Sequence, residues 1–100
     1  MAVLNGLNAI NAARFVTDGN DLVLDLNPMY HTENPRAYPL VLATYEIVCS
    51  KGYDPDTSRA IKSFITVAAN NGQAGLSSAG YVPLPDKVKE RLVTALDALQ

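Results

Sequence analysis

Apolar and polar positions recur with different periods along these 100 residues, and the changes of period mark the elements. From Ala2 to Val16 the pattern predicts a weak helix. Leu4, Leu7, Ala12 and Phe15 share a face, against the opposing preferences of Gly6 and three asparagines. Thr17-Asp18-Gly19-Asn20 is a turn signal. Leu22, Leu24 and Leu26 then alternate with Asp21, Val23 and Asp25, the period of a half-buried strand, and Pro28 is expected to end it. Prolines 28, 35 and 39 predict an irregular, fixed-path loop from Asn27 to Pro39. The nearly unbroken apolar run Leu40 to Cys49, rich in β-branched types, predicts a long strand covered on both faces.

The second half reads as helical. Gly52 lies in a turn from Ser50 to Tyr53. Asp54 then suits an N-cap, with Pro55 at the first helical position. Ile61, Phe64, Ile65 and Ala68 recur at the spacing of one apolar stripe, and Asn70-Asn71-Gly72 supplies a stop. Gln73 to Ala79 fits a further helical turn or two. Gly80-Tyr81-Val82-Pro83-Leu84-Pro85 is extended by its prolines. A last helix runs roughly from Asp86 to Leu99. Val88, Leu92, Ala95, Leu96 and Leu99 form its buried face, with Lys87, Glu90, Arg91, Thr94 and Asp97 on the wet side. The expectation is an α/β chain of about two strands and three helices, a single incomplete domain over 1–100.

Composition narrows the function classes. With 48% apolar residues the chain is not of disordered type. Its net charge is −2 and it has no basic cluster, so it lacks the footprint of a nucleic-acid binder. No apolar run reaches the roughly 20 residues of a membrane span. Met1-Ala2-Val3-Leu4-Asn5 has no basic n-region, and Asn5, Asn8 and Asn11 interrupt any signal-like run, so no export signal is expected in these residues.

Candidate chemistry is sparse. Cys49 is the one cysteine, which excludes an internal disulfide framework and a multi-cysteine zinc site; it reads as a small hydrophobe packed in a strand. Pairing with a cysteine elsewhere stays open if the chain is a piece of something longer. His31 is the one histidine, with Glu33 its only nearby ligand type, and its place in a proline-flanked loop predicts a solvated side chain. Asp21 and Asp25 are read as solvating the outer face of a strand. Glu46 sits inside an apolar run and must be paired, hydrogen-bonded or turned to solvent; a paired structural role is preferred to a place lining a cleft. Asn70-Asn71-Gly72-Gln73-Ala74-Gly75 has no lysine and no preceding strand, so it is not a Walker-type phosphate loop. The anionic helix start at Asp54 works against phosphate binding there. No catalytic, ligand-binding or metal residue is assigned, no cofactor is expected, and the chain is not read as an enzyme.

A series of motifs carries a resemblance. Ala37-Tyr38-Pro39-Leu40 opens the long strand through Tyr45-Glu46-Ile47-Val48, and a helix follows with Lys62-Ser63-Phe64-Ile65-Thr66. Asn71-Gly72-Gln73, Gly80-Tyr81-Val82-Pro83-Leu84-Pro85 and a terminal amphipathic helix complete it. In type, order and spacing this resembles the C-terminal third of the PstS-type phosphate-binding proteins. It covers 36–100 best and 1–35 loosely. The resemblance implies part of one lobe of a two-lobed, periplasmic-binding-protein-like fold that closes around its anion, with the long strand near the hinge. It also implies an extracytoplasmic location, inorganic phosphate as ligand and an ATP-binding-cassette permease as partner. In that family serine or threonine hydroxyls, backbone N–H groups, an arginine and an acidic residue from the earlier two thirds of the chain grip the phosphate, and none of those motifs is present here. Sulfate, molybdate or another oxyanion fits the same architecture.

Three readings follow. A piece of a transport protein predicts an incomplete sheet with an exposed apolar edge. A self-sufficient α/β interaction module predicts a cooperative thermal transition. A small hydrolase using His31 and Cys49 requires those side chains within hydrogen-bond reach. The first is preferred and the third ranks last.

Overall fold

A computed structural model describes residues 3–100, so Met1 and Ala2, at the head of the first predicted helix, lie outside the described residues. Helix α1 spans Val3–Ile10, shorter than expected, and buries Gly6, Ala9 and Ile10. Past Ile10 the chain tightens, with Ala12 N–H donating to Ala9 O and Ala13 N–H to Ile10 O. Arg14–Phe15 then forms strand β1 where helix was expected. Its antiparallel partner β2, Leu24–Asp25, pairs Arg14 with Asp25 and Phe15 with Leu24. Val16 N–H donates to Val23 O at 2.9 Å, extending the hairpin. Two β-branched valines facing each other suit a pleated pair better than a helix turn, which explains the change of element.

The alternation from Leu22 to Leu26 holds: the leucines are half-buried, and Val23 and Asp25 are exposed. Pro28 does not open a loop. It sits in the first turn of helix α2, Asn27–Tyr30, where a missing N–H costs nothing, and Asp25 Oδ1 accepts the Asn27 N–H at 3.0 Å. This short helix drives Met29 to zero exposure against Ala9, Ile10 and Ala13, with Leu24, Leu26, Ala37 and Val41 packed around them. The asparagines that weaken α1 as a helix tie it to the chain beyond. Asn5 and Asn8 each donate a side-chain N–H to Arg36 O, at 2.6 and 3.1 Å. Tyr38 N–H donates to Asn5 O at 2.8 Å.

The long strand expected over Leu40 to Cys49 is not formed. Burial still alternates at first, with Ala37, Pro39, Val41 and Ala43 half-buried and Ala37 and Val41 packed on the core, but among the described residues no neighbouring strand pairs with it. Leu40 is 77% exposed, Leu42 81% and Ile47 93%. An extended chain gains ladder hydrogen bonds only from a neighbour, and among the described residues the sheet is the β1–β2 hairpin alone.

Helix α3, Pro55–Ala69, begins and ends where the sequence places it. Its apolar stripe is only half used: Ile65 and Ala69 are buried, whereas Phe64 and Ala68 are exposed. A 3-10 turn over Asn71–Gln73 follows. Successive turns then reach Gly80, whose φ of +87° is open to glycine and strained for other residues. Helix α4, Asp86–Asp97, buries Val88 and Leu96 and packs on α3. The result is a small α/β piece of four α-helices and one two-stranded sheet among the described residues.

Candidate functional site

The structure disperses the polar residues that the sequence singles out. Asp25 caps the start of α2, and Asp21 lies exposed in the hairpin, where its carbonyl accepts from Thr17 Oγ1 at 3.3 Å. His31 is exposed at the end of α2, as a loop residue should be, with Nδ1 2.9 Å from Asn27 O. Cys49 is exposed, not packed in a strand core, because the strand that would have buried it is unpaired. Its backbone N–H donates to Tyr53 Oη at 2.8 Å. The His31 ring nitrogen is engaged by Asn27 O, and no hydrogen bond joins it to Cys49.

Glu46 is turned to solvent rather than paired; Arg59–Asp56, on the surface of α3, is the one ion pair among the described residues. Glu46 borders an open groove of about 260 Å³ whose walls are Val48, Ala60, Ile61, Phe64 and Ile65. One carboxylate on apolar walls supplies no donor for an anion. No group of three or more His, Cys, Asp and Glu residues that could hold a metal occurs among the described residues.

Asp54 performs the capping expected of it. Oδ1 accepts Thr57 N–H at 2.9 Å and Oδ2 accepts Thr57 Oγ1 at 2.8 Å. The backbone bond from Thr57, then its hydroxyl, hold the Asp54 carboxyl below the usual carboxylate range. A charged carboxylate therefore occupies the α3 N-terminus, where an anion would otherwise be favoured.

Three residues do more than their sequence positions suggest. Gln73 donates to Ala68 O and accepts Leu84 N–H, both at 2.7 Å, so one amide joins the end of α3 to the approach to α4. Lys87 and Arg91, placed by periodicity on the wet side, are half-buried. Lys87 Nζ donates to Asn11 O at 2.6 Å and Ala13 O at 2.8 Å. Arg91 Nη2 donates to Thr17 O at 3.0 Å and Gly19 O at 2.6 Å, and its guanidinium lies 4.0 Å from the centre of the Phe15 ring. Burial, then the positive Arg14, hold the Lys87 ammonium below the ordinary lysine range. The only signal for these roles is the i, i+4 spacing beside Val88 and Leu92, since carbonyl acceptors leave no mark in a sequence.

By fold the chain is a small α/β piece in which Gln73, Lys87 and Arg91 bond main-chain groups. Comparison with known proteins gives it relatives. Phosphate-binding protein PstS 3 of Mycobacterium leprae is 50% identical over 90 residues, which is 90% of this chain and 24% of that protein. PstS 3 of Mycobacterium tuberculosis is 51% identical over 81 residues, 81% of this chain and 22% of that protein. PstS of Methanocaldococcus jannaschii is 33% identical over 81 residues, 76% of this chain and 21% of that protein. No family model and no solved structure matches. The chain is thus homologous to the PstS phosphate-binding proteins over most of its length and spans under a quarter of theirs. The similarity reaches well into 1–35, because 90 residues are more than the stretch from Arg36 to Gln100 holds. No described helix is long and apolar enough to cross a membrane.

Proposed function

We propose that this chain works as part of an extracytoplasmic phosphate-binding protein that delivers inorganic phosphate to an ATP-binding-cassette importer. Within it the segment supplies structure, as a C-terminal portion of one lobe with 40–49 near the hinge, and contributes no anion ligand and no catalytic group. The observation that carries the reading is the unpaired segment Leu40 to Val48. Its inner positions pack on the α1 and α2 core, while Leu40, Leu42 and Ile47 stand in water. A strand of this pattern belongs between two layers and beside a neighbour. Both the second layer and the neighbouring strand must therefore come from outside these residues.

Surface area supports the same reading. The chain exposes 6935 Å², against about 5,500 Å² for a compact monomer of its mass. That excess, roughly 1,400 Å², exceeds the ~800 Å² that one partner buries in a stable interface. The radius of gyration is 14.7 Å, where about 13 Å is usual for this length.

A thermal melt followed by circular dichroism, with and without millimolar phosphate, tests the proposal. A broad transition unmoved by phosphate is expected. A sharp transition raised by phosphate would reveal a complete binding site in this chain and overturn the structural role, since a ligand stabilises only the state that binds it. A sharp transition indifferent to phosphate would favour a self-sufficient module.

A further inference from the structure

We propose that Lys87 and Arg91 form a clasp that joins α1, the β1–β2 hairpin and α4 into one moving body, although more than seventy residues of chain separate the two ends. The two cations stand one turn apart on the same face of α4, and all four of their acceptors are main-chain carbonyls. Neither cation is drawn to a carboxylate, since the one ion pair among the described residues lies on α3.

Each cation meets a local need. Helix α1 has no basic residue in its own last turn. Its C-terminal end carries partial negative charge, and Lys87 brings a cation beside that end from α4 by donating to the carbonyls just beyond the helix, Asn11 and Ala13. At the hairpin tip, the chain reverses between Val16 and Val23, and the Thr17 and Gly19 carbonyls converge on one Arg91 nitrogen. The same guanidinium covers Phe15, so it grips both the tip and the first strand. Because carbonyls are held, the identities of Thr17 and Gly19 are not what the docking reads, and Phe15 is the hairpin side chain that Arg91 covers. Segment 26–85 meets α4 through the packing of α3, and just past α4 Gln100 N–H donates to Ser50 O at 3.0 Å.

Amide hydrogen exchange of the 100-residue chain, resolved by residue, tests the clasp. In the Lys87→Met/Arg91→Met double variant, exchange is expected to quicken about tenfold or more at Ala12, Ala13 and Val16, on the scale of lost charge-assisted hydrogen bonds. The α3 amide of Asn70, bonded to Thr66 O, is expected to keep its rate. Arg91→Lys keeps the charge and loses the fork, so it should quicken Val16 and leave Ala12 and Ala13 unchanged. Three results overturn the proposal: unchanged rates at Val16 in both variants, an equal increase at Asn70, or a parent chain unprotected at all three amides.

Discussion

Asp54 holds the first turn of α3 with both carboxylate oxygens, on Thr57 N–H and Thr57 Oγ1. Its carboxyl titrates below the ordinary range because those bonds favour the charged form, the backbone bond most. For a carboxylate with a depressed folded pKa, the stability contribution is complete above the unfolded pKa and is lost as pH falls through the folded one. Helix α3 should therefore keep its cap at pH 5 and fray only below the ordinary carboxylate range. Asp54→Ala should remove this acid step and lower the melting midpoint, with Asp54→Asn retaining most of the cap. Circular dichroism at 222 nm against pH reads both; an acid step unchanged in Asp54→Ala would assign it to another carboxylate. Gly6 offers a sharper residue-scale test, because a Cβ there would stand 2.5 Å from Val82 Cγ2. Alanine gains roughly 1 kcal/mol of helix propensity over glycine, but overpacking a fixed site costs about 1–3 kcal/mol. Gly6→Ala should therefore be neutral to destabilising by up to about 2 kcal/mol in urea unfolding. Gly6→Ala with Val82→Ala should be more stable than Val82→Ala alone, since the clash is gone and the propensity gain remains. A loss in the double variant as large as in Gly6→Ala would mean that α1 and Val82 do not meet.

At the scale of elements, what could be read in advance is what local chemistry decides. The start of α3 at Pro55 and its end at Ala69 follow from an N-cap, a proline and an asparagine pair, all short-range signals. The buried face of α4 follows from its period. The alternation at Leu22 to Leu26 was legible too, though only Leu24–Asp25 pairs. What was not legible depends on distant chain. Pro28 signals either a strand end or a helix start, and Asp25 decides for the helix by capping Asn27. The strand at Arg14–Phe15 exists because Val23 and Leu24 lie opposite, which no pattern within Ala2 to Val16 records. The strand expected over Leu40 to Cys49 does not form, because that apolar, β-branched run has no neighbour to pair with among the described residues. The work of Lys87, Arg91 and Gln73 was not legible, because each acts on main-chain groups remote in sequence.

For the whole molecule, the decisive property is an apolar surface with nothing over it. Leu40, Leu42 and Ile47 stand exposed on a stretch that pairs with no strand among the described residues, and Phe64 is exposed on α3 in the groove it lines with Val48. Unpaired extended backbone with apolar side chains is a template for edge-to-edge association, and a lysine at such an edge opposes it. The isolated chain should therefore self-associate with rising concentration, as followed by sedimentation velocity. Leu40→Lys with Leu42→Lys should hold it monomeric. Both side chains are largely in water already, so the double variant should leave the chain's own stability within about 0.5 kcal/mol per site. That combination separates two roles that apolar residues can play. If the lysines also unfold the chain, Leu40 and Leu42 belong to its own core and the surface is not waiting for anything. If association persists in the lysine variant, another face carries it and the edge is not the surface left open for a partner. Loss of association with the fold intact is the outcome expected of a strand whose second layer and neighbour lie elsewhere in a longer protein.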